Sequence, residues 1–414
     1  MFPKRIVITG MGLVSPIGND LKSVSKNLQE SNSGVRFMPE YAELGMRSHV
    51  AGKAESARTN DIPRKLRRFM GEESQFAYIA AQDAIEHAGI DTKLLQHDRT
   101  GLIMGSGGAS TLDIMEAADL LRSRGIKKVG PYRVTSTMTN TVSACLSTGF
   151  GIRGLNFSVS SACATSAHCI GLAAQMVAWG EQDLIIAGGA ESEHWSQSCL
   201  FDAIQAMSSQ YNHTPLTASR AYDKNRDGFV IASGAGAIIV ESLEHALQRG
   251  APIIAEITGY GTASDGANMV APSGEGSRRA MEYALAQLAQ QRLANTTGHS
   301  IDYLNTHATS TPAGDRIELR AIKEAFKGEL PYYSGTKSLT GHSLGAAGVH
   351  EAIYSLIMLN EGFMAASANI EDLDDEAKDT PLVRNSRKAD LHTVMSNSFG
   401  FGGTNVSLIF SRYA

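Results

Sequence analysis

Residues 160–174 read Ser-Ser-Ala-Cys-Ala-Thr-Ser-Ala-His-Cys-Ile-Gly-Leu-Ala-Ala. Just before them, Leu155, Phe157 and Val159 alternate with Asn156 and Ser158, the two-residue period of a strand. The segment that follows is built from Ala, Gly, Ser and Cys. Small side chains all round a helix predict close contact on every side, so this helix is expected to be central and buried. Cys163 falls near its first turn, where free N–H groups and the positive end of the helix dipole favour an anion. That position predicts a thiol of depressed pKa and nucleophilic character. The alternative is a small, inert core cysteine.

Working outward, the chain repeats itself. Ile257-Thr258-Gly259-Tyr260-Gly261 echoes Ile8-Thr9-Gly10-Met11-Gly12, each at the end of an apolar run. Gly341-His342-Ser343-Leu344-Gly345-Ala346-Ala347-Gly348 opens a second small-residue helix, predicted to reach about Leu359. Self-similar segments far apart point to a duplicated fold. Strands and helices alternate, which indicates α/β architecture. The expected halves are residues 1–250, carrying Cys163, and 251–414, carrying His307 and His342. Gly10 and Gly12 are read as a turn after a strand over Arg5–Thr9. Ser15 stands where a dinucleotide fingerprint needs its third glycine, so that reading fails.

Composition bounds the rest. The chain has 414 residues, 43% of them hydrophobic and 19% charged, with a net charge of −5. Such a balance gives no global pull toward nucleic acid or membrane. Four cysteines (145, 163, 169, 199) in so long a chain do not form a disulfide framework. The first residues are too short and too charged for a signal peptide, and no long apolar run is present. A cytoplasmic protein is expected.

The remaining chemistry lies in the second half. His307 follows the strand 301–305, at the edge where α/β proteins place their sites. Lys337 and His342 follow the strand 332–335. Two histidines at strand-to-helix turns and a helix-start cysteine form a constellation rather than isolated residues. A competing pattern is Gly341-His342-Ser343-Leu344-Gly345, which matches a nucleophile elbow. A Ser343 hydrolase would need an acid and a histidine downstream, such as Asp390 and His392, which are too close in sequence to serve well. Metal binding by Cys163, His168 and Cys169 fails, because residues five and six apart on a helix do not share a face.

These blocks resemble the β-ketoacyl-acyl-carrier-protein synthases, condensing enzymes of bacterial fatty-acid synthesis. The resemblance runs through ITGMGLVSPIG, SSACATSAHCIG, NTHATSTPAGD, GTKSLTGHSLGAAG and SNSFGFGGTN, in order along nearly the whole chain. GMRSHV and AYDKNRDGFVIA are closest to the synthase I branch, with synthase II as the alternative. The resemblance implies a thiolase-like αβαβα sandwich of two similar halves in a homodimer. It implies that Cys163 is the acylated nucleophile and that His307 and His342 serve decarboxylation, supported by Lys337. The backbone N–H groups of Cys163 and Phe401 are the implied oxyanion hole, and the Phe401 ring a gate. Gly108 and Phe401 are expected in the acyl pocket, Gly108 standing where synthase II has a bulky aliphatic residue. Lys65, Arg68, Arg124 and Lys127 match positions that dock an acyl carrier protein. Asn305, Glu351, Ser396 and Asn397 match positions around a bound monovalent cation in some members. No other cofactor is implied. A degradative thiolase would need a late second cysteine, and none follows Cys199. A starter-unit synthase would need Asn where His342 stands, and a non-catalytic chain-length partner would lack Cys163.

Overall fold

The computed structural model describes residues 2–108, 110–295 and 300–413. The first half contributes strands β1 (Ile6–Val14), β2 (Thr100–Gly105), β3 (Asn156–Phe157), β4 (Leu184–Glu191) and β5 (Gly234–Ser242). Its principal helices are α1 (Glu72–His87), α2 (Thr111–Arg124), α3 (Thr141–Phe150) and α4 (Thr165–Ala178). The second half contributes β6 (Ala255–Ser264), β7 (Tyr303–Asn305), β8 (Tyr332–Ser334), β9 (Thr393–Gly400) and β10 (Thr404–Ser411). Its principal helices are α5 (Glu275–Asn295), α6 (Gly314–Ala325) and α7 (Ala347–Glu361).

The strands form one ten-stranded sheet in the order β8-β7-β9-β10-β6-β1-β5-β4-β2-β3. Outward from the β6/β1 junction, both halves repeat one pattern. β1/β5 and β5/β4 are antiparallel, then β4/β2 and β2/β3 parallel. β6/β10 and β10/β9 are antiparallel, then β9/β7 and β7/β8 parallel. The junction is thin: Val7 pairs with Glu256 and Ile8 with Ala255, antiparallel. The half-sheets are held together mainly by what lies between them. Helix α4 packs on β4, β2 and β5 and reaches β10, while α7 packs on β9 and reaches β5. The two helices also pack on each other, and α1 and α5 cover the outer faces. This is the expected αβαβα layering.

The ITGMG segment does not turn. It lies inside β1, all of whose residues are buried. Its glycines are demanded by helix contact. A Cβ at Gly10 would stand 2.2 Å from the Ala84 carbonyl oxygen, and one at Gly12 would stand 2.3 Å from that of Ala80, both on α1. The echo has the same cause, because a Cβ at Gly259 would stand 2.8 Å from the Ala284 oxygen and one at Gly261 1.9 Å from that of Ala280, on α5. The repeat is therefore a strand-on-helix packing motif, used once in each half.

Both small-residue helices are central, as expected. Every residue of α7 from Ala347 to Leu359 is buried. Each of its Ile and Leu side chains contributes about 1.5–3 kcal/mol by leaving water. Ahead of β3 the chain forms two helical pieces, Arg133–Thr137 and α3. Among the described residues, no helix is long and apolar enough to cross a membrane.

Candidate active site

Cys163 is not in the first turn of α4 but in the 3₁₀ turn Ala162–Ala164 that leads into it. Ala162 has φ 51°, a left-handed conformation that alanine adopts only when neighbours enforce it. His307 follows β7, and His342 follows the short helix Lys337–Thr340. Both halves thus send residues to one place. Cys163 Sγ and a ring nitrogen each from His307 and His342 lie within 4.8 Å of one another. The two rings meet edge to face, 5.1 Å apart at an angle of 87°. All three side chains line a cavity of about 410 Å³ whose apolar walls include Phe201, Phe229, Phe399 and Phe401.

The histidines are buried and neutral. Burial, reinforced by the Lys337 charge, holds both well below the ordinary histidine pKa. Lys337 Nζ is 3.4 Å from His307 Nδ1 and 2.5 Å from Glu351 Oε1. An ammonium only donates, so Nδ1 accepts and the His307 proton belongs on Nε2. His342 is 3% exposed. Neither of its ring nitrogens has a hydrogen-bond partner among the described residues. A buried polar group left unpaired is costly, which marks His342 as a group waiting for a ligand.

The thiol departs from the sequence expectation. Burial pushes Cys163 up to about 11, not down. Lys337 and the backbone N–H groups of Phe401 and Cys163 itself pull the other way. The free N–H groups and dipole of a helix start act in the same favourable direction. In a site where Cys163 is 8% exposed, desolvation of the thiolate outweighs them. The N–H groups of Cys163 and Phe401, one from each half, act on the Cys163 sulfur. Phe401 itself is 38% exposed and its ring lies 6.3 Å from that of Phe201.

Other expected residues fall in distinct places. Gly108 is not among those lining the cavity; its carbonyl accepts from Ser106 Oγ, and a Cβ there would meet only the Gln197 amide, at 3.5 Å. Lys65, Arg68, Arg124 and Lys127 are all exposed. Arg68 donates to the Tyr132 hydroxyl at 2.6 Å, which brings the 64–68 and 124–132 segments together. Asn305 pairs with Ser396 across β7 and β9, and Glu351 lies beside Lys337. Asn397 is engaged elsewhere: its Oδ1 accepts from Ser407 and its Nδ2 faces Glu318.

Ser343 is paired with His350, 2.9 Å away, rather than with His392. It is 3% exposed and does not line the cavity, although His342 and Leu344 beside it do. An elbow that presents its serine to the interior has no substrate to attack, so the hydrolase alternative loses its geometry.

Sequence reasoning missed Glu318. Its carboxylate accepts the backbone N–H groups of His307 and Ala308, each at 2.7 Å, and fixes the turn that aims the imidazole. Burial pushes this carboxyl up to about 7. The signal was legible: Glu318 falls on the buried stripe of α6 with Asp315, Ile322 and Ala325, where a carboxylate needs a partner. The wall formed by Met269, Val270 and Pro272 was also missed.

Residues 3–246 match the family model described as beta-ketoacyl synthase, N-terminal domain, and residues 254–371 that of the C-terminal domain. A 3-oxoacyl-[acyl-carrier-protein] synthase 1 of Haemophilus influenzae is 53% identical over 412 residues, covering 99% of each chain. One of Escherichia coli K12 is 53% identical over 411 residues, with the same coverage. The crystal structure of a beta-ketoacyl synthase from Burkholderia phymatum superposes with a TM-score of 0.92 at 35% identity, over 99% of this chain and 100% of that one. A type II polyketide ketosynthase solved in complex with its acyl-carrier protein superposes with a TM-score of 0.87 at 25% identity, over the full length of both. With its fold, its site and these likenesses in agreement, the chain belongs to the β-ketoacyl synthase family.

Proposed function

We propose that the protein condenses an acyl group with malonyl-acyl-carrier protein, giving a 3-oxoacyl-carrier protein two carbons longer and CO2. It is a 3-oxoacyl-acyl-carrier-protein synthase of the type 1 group, acting in fatty-acid elongation. The convergence of Cys163, His307 and His342 on one apolar cavity is the observation that carries the assignment of roles. We assign the break between the halves to residue 250, between the two matched family domains.

In the first step Cys163 Sγ attacks the acyl thioester. Its proton goes to the departing carrier thiol, and a new thioester forms on the enzyme. The tetrahedral oxyanion accepts from the N–H groups of Cys163 and Phe401. In the second step the thioester oxygen of the malonyl group lies against His307 Nε2–H and an N–H of His342. Loss of CO2 leaves an enolate, whose charge these two neutral donors stabilise without giving up a proton. The enolate carbon attacks the Cys163 thioester, the new C–C bond forms and the thiolate leaves to be reprotonated. Lys337 holds the tautomer of His307. The Phe401 ring, half exposed at the cavity, is assigned as its gate, and Gly108 as an acyl-chain determinant.

All electron pairs in this scheme come from the thiol and the substrates, and the one proton that restores the Cys163 thiol comes from water, so the scheme calls on no cofactor. A monovalent cation near Glu351 is supported by two buried oxygens without hydrogen-bond partners among the described residues, Glu351 Oε2 and Ser396 Oγ, the latter paired with Asn305 across β7 and β9, whereas the Asn397 side chain is otherwise engaged. The partner is an acyl carrier protein, docked on the patch of Lys65, Arg68, Arg124 and Lys127. The protein is assigned as a cytoplasmic homodimer, with β3 as the edge strand of its sheet.

A paired assay tests the division of labour. Acylation of Cys163 is followed by intact-protein mass, and CO2 release from labelled malonyl-carrier protein is followed separately. His307→Ala and His342→Ala are expected to acylate but fail to decarboxylate. Normal decarboxylation with failed acylation in His307→Ala would make it the base for Cys163 and overturn the scheme.

A further inference from the structure

The two N–H groups that face the Cys163 sulfur come from different halves of the molecule. One belongs to the Ala162–Ala164 turn and the other to the turn between β9 and β10. Their separation must be held to a fraction of an ångström for both to reach one oxyanion. Side-chain hydrogen bonds link the two turns. Thr404 Oγ1, at the start of β10, donates to the Ser161 carbonyl at 2.9 Å. Ser161 Oγ is 2.8 Å from His168 Nδ1, and His168 Nε2 is 2.9 Å from Thr262 Oγ1. Thr262 lies on β6, directly opposite Val406 of β10. Ser161 immediately precedes the nucleophile turn, and the second half grips it by both its carbonyl and its hydroxyl.

The fit leaves no slack. A Cβ at Gly400 would stand 2.5 Å from Thr404 Oγ1, 2.8 Å from the Ser161 oxygen and 3.1 Å from the Cys163 nitrogen. Burial holds His168 below the ordinary histidine pKa, so it is neutral, with one donor and one acceptor to join the two hydroxyls. Neither Thr404 nor His168 lines the cavity.

We propose that Thr404 and His168 are positioning residues for acyl transfer, fixing the spacing of the Cys163 and Phe401 N–H donors by strapping Ser161 to β10 and β6. The proposal rests on the reading of Cys163 as the nucleophile.

Two reagents that attack the same sulfur separate this role from a merely structural one. Iodoacetamide alkylates Cys163 by a displacement that forms no oxyanion, whereas acyl-carrier protein acylates it through one. Thr404→Val keeps the shape and removes the donor. It is expected to slow acylation about tenfold, with KM for acyl-carrier protein and the alkylation rate unchanged, and Thr404→Ser is expected to restore the rate. His168→Leu should behave like Thr404→Val, and His168→Gln, which can bridge both hydroxyls, should recover part of the loss. Equal acylation rates in Thr404→Val and the unaltered protein would overturn the proposal. So would a parallel fall in alkylation, which would place the effect on the thiol. Failure of the unaltered protein to acylate Cys163 would instead overturn the nucleophile reading, and the proposal with it.

Discussion

Residues Ala162–Ala164 and Leu344–Ala346 form 3₁₀ turns of the same length, one in each half. Ala162 at φ 51° and Leu344 at φ 45° both open in the left-handed region, and each turn runs directly into a buried central helix. The middle residues differ. Cys163 faces the cavity, with two N–H groups directed at its sulfur. Gly345 faces the other half, where a Cβ would stand 2.2 Å from the Gly107 nitrogen and 2.8 Å from Glu191 Oε2. Its own N–H donates to Glu191 at 2.9 Å, and Gly107 N–H donates to the same carboxylate oxygen at 2.9 Å. One copy of the turn is thus given to chemistry and the other to joining the halves. A duplicated frame can be strained and dry at the nucleophile because its counterpart carries the cohesion.

The largest test of that division is Cys163→Ala. Condensation should fall by about 10³-fold or more, while CO2 release from malonyl-carrier protein and the melting temperature stay close to those of the parent. A large loss of thermal stability would show that the nucleophile turn also carries structure. Next, His307→Ala and His342→Ala should each lower decarboxylation by about 10²–10³-fold, read by release of labelled CO2. They sharpen the comparison because His342 stands two residues before the structural turn yet belongs to the chemistry.

Gly345→Ala should do the reverse of Cys163→Ala. Its Cβ meets backbone and a fixed carboxylate, so a loss of about 1–3 kcal/mol in denaturant unfolding is expected. Unchanged stability would remove the cohesive role. Lys337→Met acts through charge. Lys337 lowers the pKa of His307, His342 and Cys163. Without it the imidazoles protonate at higher pH, so the acid limb of the decarboxylation profile should move to higher pH. Alkylation of Cys163 should also require higher pH; profiles that superpose on the parent's would exclude electrostatic support. The smallest effect is expected from Gly108→Ile, whose side chain would extend toward Gln197. Stability should hold while preferred product length shifts, as measured by product chromatography with mixed primers. Identical length distributions would remove Gly108 as a determinant.

The sequence by itself determined the duplicated α/β frame. The ITGMG and ITGYG segments and the two small-residue helices are local patterns, and local patterns survive in a linear string. It also singled out Cys163, His307, Lys337 and His342, because each stands at a strand-to-helix turn. The tertiary structure alone decided three things. It showed that Gly10 and Gly12 answer to helix α1 and not to a turn, because the close approach comes from atoms some seventy residues away along the chain. It reversed the sign expected for the Cys163 thiol, since desolvation depends on every wall of the cavity while the helix-start effect depends on a few neighbouring residues. It also identified which groups pair: Glu318 with the backbone of His307, His350 with Ser343, and Thr404 with Ser161. The first two form within the second half as its turns pack on its helices, whereas the Thr404–Ser161 bond exists only once the two halves have closed on each other.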